Sequence, residues 1–209
     1  MTPRSKPMPL KAAGIVLTVL CYFAAAAHAG LPTDQIKATV DKALVVLRDP
    51  KLKAAAKIKE RREQLKQILF ARFDFTEMAK RSLGANWRQR TPQEQEEFVR
   101  LFTDVLERAY ADIIESYSDE KIVYVNERID AEYADVNSKI FTTKGQEYTI
   151  NYKAHLVGNE WKVYDVVAEN ISLVNNYRSQ FARVIAKESY GELVRRLKDK
   201  SEFTGAVKK

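Results

Sequence analysis

The spacing of apolar residues changes from a helical to an alternating period near Lys121, and this change constrains the fold more than any other feature. Four segments then alternate apolar and polar residues: KIVYVNE, EYADVNSKIFT, EYTINYKAHL and EWKVYDVVAE. The gaps between them are short, and two contain Gly145 or Gly158. Alternation is typical of half-buried β-strands, and short gaps rich in turn residues join antiparallel neighbours. The sequence therefore predicts a four-stranded antiparallel meander over residues 121–168.

Helical spacing precedes and follows the predicted sheet. The longest predicted helix starts at Thr91, where Pro92 and Glu94 complete a capping-box pattern before a long apolar stripe. We predict a helical part over residues 33–117 and closing helices over residues 172–200. Helices that flank a meander in this order are typical of an α+β fold, in which they pack on one face of the antiparallel sheet.

The first 29 residues have the pattern of a secretory signal. Three basic residues precede an apolar run from Ala12 to Ala27, and the run ends in the A-x-A pattern at residues 27–29. The run is shorter than the roughly 20 residues of a membrane span. We therefore predict a cleaved signal over residues 1–29, export to the periplasm, and a single domain over residues 30–209. The alternative is a retained N-terminal anchor.

Charge and residue types restrict the possible functions. Cleavage would leave 32 basic and 28 acidic residues, a net charge of +4, and would remove Cys21, the only cysteine. A chain without cysteine has no thiol nucleophile and no thiolate metal ligand. An exported protein with a mild positive charge rarely meets nucleic acid, so we expect no nucleic-acid partner. We expect the basic run at residues 53–67, which includes Lys57, Lys59, Arg61 and Arg62, to form a solvated helix face.

One carboxylate remains a catalytic candidate. Asp165 lies between apolar residues, as a general base with a raised pKa requires. Alternatively, Asp165 accepts hydrogen bonds from the backbone or from Arg178 where the last strand leaves the sheet. After cleavage His155 is the only histidine, and no second acid accompanies Asp165. We therefore predict a protein that is not an enzyme and has no metal or cofactor, with the small-molecule enzyme as an alternative.

Large apolar residues occur in both the helices and the strands. Phe98, Phe102 and Tyr110 lie in the long helix, and Tyr148 and Tyr152 lie in the third strand. These side chains would form a solid core if the two layers touch, or line a container if the layers stand apart. Periodicity does not distinguish the two arrangements.

Three segments of the chain resemble one known family. They are FDFTEMAKRSLGANWRQRTPQEQEEFVRLFTDVLERAY, ESYSDEKIVY and WKVYDVVAENISLVNNYRSQF. Together they resemble the MlaC, or toluene-tolerance, family of periplasmic phospholipid-binding proteins, in consistent order from about Leu31 to Lys200. One departure is Asn170, where the family usually has glycine. Asparagine is among the residues that best tolerate a left-handed backbone, so the departure changes little.

The resemblance implies a fold and a function. It implies a curved, NTF2-like sheet that encloses an apolar cleft with the helices, and a carrier whose cargo is a phospholipid. It also implies that the carrier exchanges lipid between an inner-membrane MCE-domain ABC transporter complex and an outer-membrane lipoprotein-porin complex, which maintains outer-membrane lipid asymmetry. A periplasmic adaptor with a solid core remains an alternative.

Ten lipid-binding residues are predicted from two arguments together. One is the apolar period, which places these side chains on the facing surfaces of helix and sheet, and the other is the cleft that the family resemblance implies. Four come from the long helix, four from the sheet and two from the passage between the last strand and the next helix. They are Phe102, Leu106, Tyr110, Ile114, Val136, Ile140, Ile150, Tyr152, Val167 and Ile171.

Overall fold

A computed structural model describes residues 31–117, 119–199 and 203. The predicted signal at residues 1–29 therefore lies outside the described residues. Helices come first, a sheet follows and two helices close the described chain. In chain order the elements are α1 (Pro32–Arg48), α2 (Ile58–Phe70), α3 (Phe75–Leu83), α4 (Pro92–Glu115), β1 (Lys121–Asp130), β2 (Tyr133–Phe141), β3 (Glu147–Val157), β4 (Glu160–Ala168), β5 (Ile171–Ser172), α5 (Leu173–Lys187) and α6 (Tyr190–Lys198), with short 3₁₀ turns at Ala55–Lys57 and Gly84–Gln89.

Local sequence signals set the ends of the helices. The Asp74 side chain accepts a hydrogen bond from the backbone N–H of Glu77 and begins α3, which ends at Gly84 with φ 60°. A complete capping box between Thr91 and Glu94 begins α4. Side-chain oxygens at these positions satisfy backbone N–H groups that have no partner within the helix. The predicted start of the long helix is confirmed.

The sheet has five antiparallel strands in the order β1-β2-β3-β4-β5, so the prediction of four strands is wrong. The missed strand, β5, has two residues and pairs Ile171 with Ala168. The turn between them places Glu169 at φ 48° and Asn170 at φ 65°. Two central residues with positive φ are characteristic of a tight two-residue hairpin. A two-residue strand has no period, which explains why the sequence pattern did not reveal it.

Helices contact both faces of the sheet, whereas the sequence pattern predicted helices on one face. On the first face, Ile36 of α1 packs with Val136 and Val163. On the second face, the Arg81 guanidinium of α3 lies 4.0 Å from the ring centroid of Tyr164 and 5.9 Å from that of Tyr133. Aromatic side chains on this second face therefore provide a surface on which α3 lies.

The buried apolar residues form three separate clusters. One lies between α3, α4, α5 and α6, where Phe102 contacts the rings of Tyr177 and Phe181 edge-on. A second lies between α1 and the first face of the sheet. A third joins α1 to α2 and includes the half-buried Ile114 and Tyr117 from the end of α4 and the loop after it. The apolar interior is therefore divided rather than continuous.

Candidate functional site

The first face of the sheet continues beyond the strip that α1 covers. Register pairs Ile140 with Tyr148, Ser138 with Ile150, and Val136 with Tyr152, which places these side chains on one face. Val136 and Ser138 are buried, whereas the other four side chains are half-buried. We call Tyr124, Ile140, Tyr148, Ile150 and Tyr152 the inner apolar surface. It is a row of large side chains that the buried clusters only partly cover.

Several tyrosine hydroxyls near this surface and in the adjacent helical core are buried without a well-directed partner among the described residues. The hydroxyls of Tyr110, Tyr124 and Tyr177 are buried, and none makes a well-directed hydrogen bond to a described residue. Burial raises the pKa of Tyr124 and Tyr177, and it raises the pKa of Tyr152 to about 12. Burial also raises the pKa of Tyr110. The ordinary pKa of tyrosine is already about 10, so all four phenols are neutral near pH 7 and bring no negative charge to an apolar ligand.

A cavity of about 270 Å³ lies between α2 and α4. Its apolar lining includes Leu65 and Phe70 from α2, and Leu106 and Ile114 from α4. This cavity borders the end of α4 through Ile114, which also packs against the α1–α2 cluster. It is therefore a second place where apolar side chains meet without filling the space between helices.

Ion pairs between α2 and α4 border this cavity. The Glu115 carboxylate pairs with Arg61 at 3.1 Å and with Arg62 at 2.5 Å, and Lys66 pairs with Glu107 at 2.9 Å. Burial opposes ionisation of Glu115, but the hydrogen bonds from Arg62 and Arg61 outweigh it and lower the pKa of Glu115. Two cations of the predicted solvated face are thus bound to α4. We call these contacts the α2–α4 ion pairs.

Five of the predicted lipid-binding residues lie in or beside these apolar regions. Leu106 and Ile114 line the cavity between α2 and α4. Ile140, Ile150 and Tyr152 belong to the inner apolar surface. The structure therefore brings together the predicted residues of β2 and β3 on one sheet face, and it places those of α4 at a separate cavity.

The other five predicted residues are placed differently. Phe102 is fully buried in the helical cluster, and Tyr110 is half-buried against the same cluster. Val136 is fully buried beneath α1. Val167 pairs with Asn151 rather than with a residue of the inner apolar surface, and Ile171 is 51% exposed. Leu65 and Phe70 were not predicted from the sequence as site residues. A signal was available, because Glu107 and Glu115 lie on one face of the long helix and could pair with the basic run of α2. Such pairing would have placed the apolar residues of α2 beside α4.

The hydrogen bonds of Asp165 give it a structural role at the start of α5. Its carboxylate accepts hydrogen bonds from the Ser172 hydroxyl at 2.6 Å and from the Val174 backbone N–H at 3.0 Å. Arg178 does not pair with it but lies against Gly84. Both carboxylate oxygens therefore hold the start of α5, as the structural alternative for Asp165 predicted.

Two features are absent from residues 31–117, 119–199 and 203. No group of three or more His, Cys, Asp or Glu side chains among them is arranged to hold a metal ion. No helix in the same ranges is long and apolar enough to cross a membrane.

A family model described as MlaC protein matches residues 37–199. The chain belongs to the MlaC family. Among MlaC relatives, it is 24% identical over 120 residues to the intermembrane phospholipid transport system binding protein MlaC of Haemophilus influenzae, and 28% identical over 96 residues to the toluene tolerance protein ttg2D of Pseudomonas putida. These matches cover 55% and 46% of this chain, and 56% and 45% of the relatives. The chain thus spans about half the length of the curated relatives that it matches.

A solved structure resembles the MlaC fold described above over most of its length. It is the phospholipid-binding protein from Ralstonia solanacearum in complex with a phospholipid. The two folds superpose with a TM-score of 0.73 at 27% identity, covering 80% of this chain and 95% of the other. The likeness therefore includes the sheet and the helices around it.

Proposed function

We propose that this chain is a periplasmic phospholipid carrier that shuttles lipid between the outer and inner membranes and maintains outer-membrane lipid asymmetry. The observation that carries the proposal is the inner apolar surface, a row of large half-buried side chains next to a divided core. The similar fold of a protein solved with a phospholipid supports it. In this proposal the acyl tails lie in an apolar cleft and the head group stays exposed.

The energetics of the cargo define what the cleft must do. Each methylene removed from water contributes about 0.8 kcal/mol, so two tails of about fifteen methylenes resist free diffusion by on the order of 20 kcal/mol. A carrier must therefore cover nearly the whole tails. In this proposal Ile140, Ile150 and Tyr152 contact the tails from the sheet, and Leu106 and Ile114 of the α2–α4 cavity contact them once α2 has moved.

The cleft must widen before it accepts a phospholipid. The cavity of about 270 Å³ is below the roughly 300–1,000 Å³ of pockets that hold drug-sized molecules. We infer that α2 moves away from α4, because the α2–α4 ion pairs are the polar contacts that join the two helices beside that cavity. Loss of a few polar contacts would open it while the helical cluster around Phe102 stays packed.

The partners belong to the same proposal. A carrier that covers its lipid must receive it from one membrane complex and deliver it to another. We assign these roles to an outer-membrane lipoprotein-porin complex and an inner-membrane MCE-domain ABC transporter complex, which the family membership supports. Export by the predicted signal would place the chain between them.

Native mass spectrometry of the mature chain, purified from the periplasm without detergent, tests the proposal. We expect a discrete added mass that matches a phospholipid, and the same lipid after organic extraction. A mass equal to that of the polypeptide alone, with no extractable lipid, would contradict the carrier and favour an adaptor with a solid core. A bound small molecule that is chemically converted on incubation would favour the enzyme alternative.

A further inference from the structure

A concave groove of about 310 Å³ lies between α3, the turn Gly84–Gln89, α5 and the sheet. It is on the second face of the sheet: Lys153 lines it and pairs with Asp165, whereas the preceding Tyr152 pairs with Val166 on the first face. The groove is therefore separated from the inner apolar surface by the thickness of the sheet. We call it the basic groove.

Five side chains of the basic groove are cationic. They come from three helical segments and one strand, and they are Lys80, Arg81, Arg88, Lys153 and Arg178. Lys80 and Arg81 share one partner, Glu77, at 3.0 and 2.8 Å. Within the described ranges, Arg88, Lys153 and Arg178 have no ion pair.

The acid in the groove offsets only part of this positive charge. Asp165 is 5% exposed, and its carboxylate oxygens accept hydrogen bonds from the Ser172 hydroxyl and the Val174 N–H. These donors are neutral, so the negative charge of Asp165 remains in the groove, but Asp165 and Glu77 together offset only two of the five cations. The groove retains an excess of positive charge, which attracts anionic groups.

Packing orients two of the arginines. Arg178 lies so close to Gly84 that its Nε would be 3.0 Å from a Cβ at that position. The guanidinium of Arg81 lies over the ring of Tyr164 at 4.0 Å. Arginines held in this way lose less conformational entropy on binding, and their planar guanidinium groups match the geometry of carboxylates.

We infer that the basic groove is a docking site for an acidic surface segment of a partner protein. Charge complementarity carries the inference, because several cations from separate elements match several carboxylates better than one small oxyanion. A membrane-binding surface combines cations with exposed apolar side chains, and none of the large exposed apolar residues of the described chain lines this groove. The inference goes beyond lipid carriage and does not depend on it.

A charge-reversal experiment on the full mature chain tests this inference. The probe is a fluorescein-labelled peptide of alternating Glu and Gly, and binding is followed by fluorescence anisotropy. The groove variant combines Arg88→Glu with Arg178→Glu, both at exposed positions. The control variant combines Lys42→Glu with Lys144→Glu, which are exposed and outside the groove, and changes the net charge equally.

We expect the wild type to bind the peptide more weakly as salt increases, because salt screens exposed charges. The groove variant should bind the peptide at least about tenfold more weakly than the wild type. The control variant should stay within about twofold of the wild type. The milder pair Arg88→Gln and Arg178→Gln should weaken binding as well, and circular dichroism checks that every variant is folded.

Four results would overturn the inference. The first is no peptide binding by the wild type, and the second is an equal loss of binding in the groove and control variants. The third is groove-dependent binding to phosphatidylglycerol vesicles without peptide binding, which would assign the groove to a membrane. The fourth is displacement of the peptide by inorganic phosphate at matched charge concentration, which would assign the groove to a small oxyanion. Bound phospholipid is measured separately by native mass spectrometry, so failure of the carrier proposal would not be mistaken for failure of this one.

Discussion

The Asp165 carboxylate accepts the backbone N–H of Val174 at 3.0 Å, which ties β4 to the first turn of α5. Ser172 donates its hydroxyl to the same carboxylate and accepts the N–H of Asn175 at 3.0 Å. One buried acid and one hydroxyl thus satisfy two backbone donors at the start of a helix. The polar residues of this passage hold the closing helix on the sheet.

Replacing Asp165 should destabilise the fold. In Asp165→Ala the buried Val174 N–H loses its acceptor, which should lower the free energy of unfolding by about 1–3 kcal/mol. Ser172→Ala removes the helix cap and should cost about 1 kcal/mol. Urea unfolding measures both, with the exposed Ser179→Ala as a control that should change stability by less than about 0.5 kcal/mol. Unchanged stability in Asp165→Ala would show that this link is unimportant.

A charge on the inner apolar surface should abolish lipid retention. Ile150→Asp places a carboxylate among half-buried apolar side chains, and an unpaired charge beside acyl tails is strongly unfavourable. Val157→Asp is the matched control, since Val157 lies on the same strand and is 47% exposed. Native mass spectrometry should detect phospholipid on the control and at most about a tenth of that amount on Ile150→Asp. Equal retention by two folded variants would place the tails elsewhere.

Loosening the α2–α4 ion pairs should accelerate lipid release. Glu115→Gln removes the negative charge that binds Arg61 and Arg62. Loss of these charged hydrogen bonds should lower the free energy of unfolding by about 2 kcal/mol. Transfer of a fluorescent phospholipid to acceptor vesicles should become at least about threefold faster. Asp41→Asn breaks an exposed pair with Lys37 and should change neither stability nor transfer appreciably. Slower or unchanged transfer in Glu115→Gln would argue against α2 as the moving element.

Stability should decline at alkaline pH through Tyr152. Burial raises the pKa of Tyr152 to about 12, so its phenol stays protonated in the folded chain after the unfolded chain has lost the proton near pH 10. The contribution is therefore complete below about pH 10 and is lost as pH rises from about 10 to 12. Tyr152→Phe should lower the slope of unfolding free energy against pH in this window, whereas Tyr133→Phe, at an exposed position, should leave it unchanged. Identical slopes for wild type and Tyr152→Phe would refute the assignment.

Local patterns predicted the elements well where one residue type dominates the local energy. Asp74 and Thr91 accept backbone N–H groups within the next three residues, so their effect does not depend on distant parts of the chain. Asn170 was expected in a left-handed conformation and has φ 65°. The strand β5 was missed because two residues carry no period and are defined by pairing with β4.

The candidate site was less predictable because it depends on which faces meet. Ile150 and Tyr152 alternate with Asn151, and this period predicts that they share one face, as the strand register confirms. Phe102 has the same apolar character, but it is covered by Tyr177 and Phe181 in the helical cluster. Equal hydropathy therefore leads to different roles according to the neighbours that a side chain meets.

The sequence by itself determined the order of helices and strands, the alternation of the sheet and the family, because these depend on residues that are close in the chain or on continuous motifs that resemble those of the family. Tertiary structure alone decided that Glu115 of α4 binds Arg61 and Arg62 of α2, and that cations from α3, β3 and α5 surround one groove. Contacts between residues more than fifty positions apart depend on how helices cross and how the sheet twists. Those angles follow from the packing of whole faces, and no local pattern encodes them.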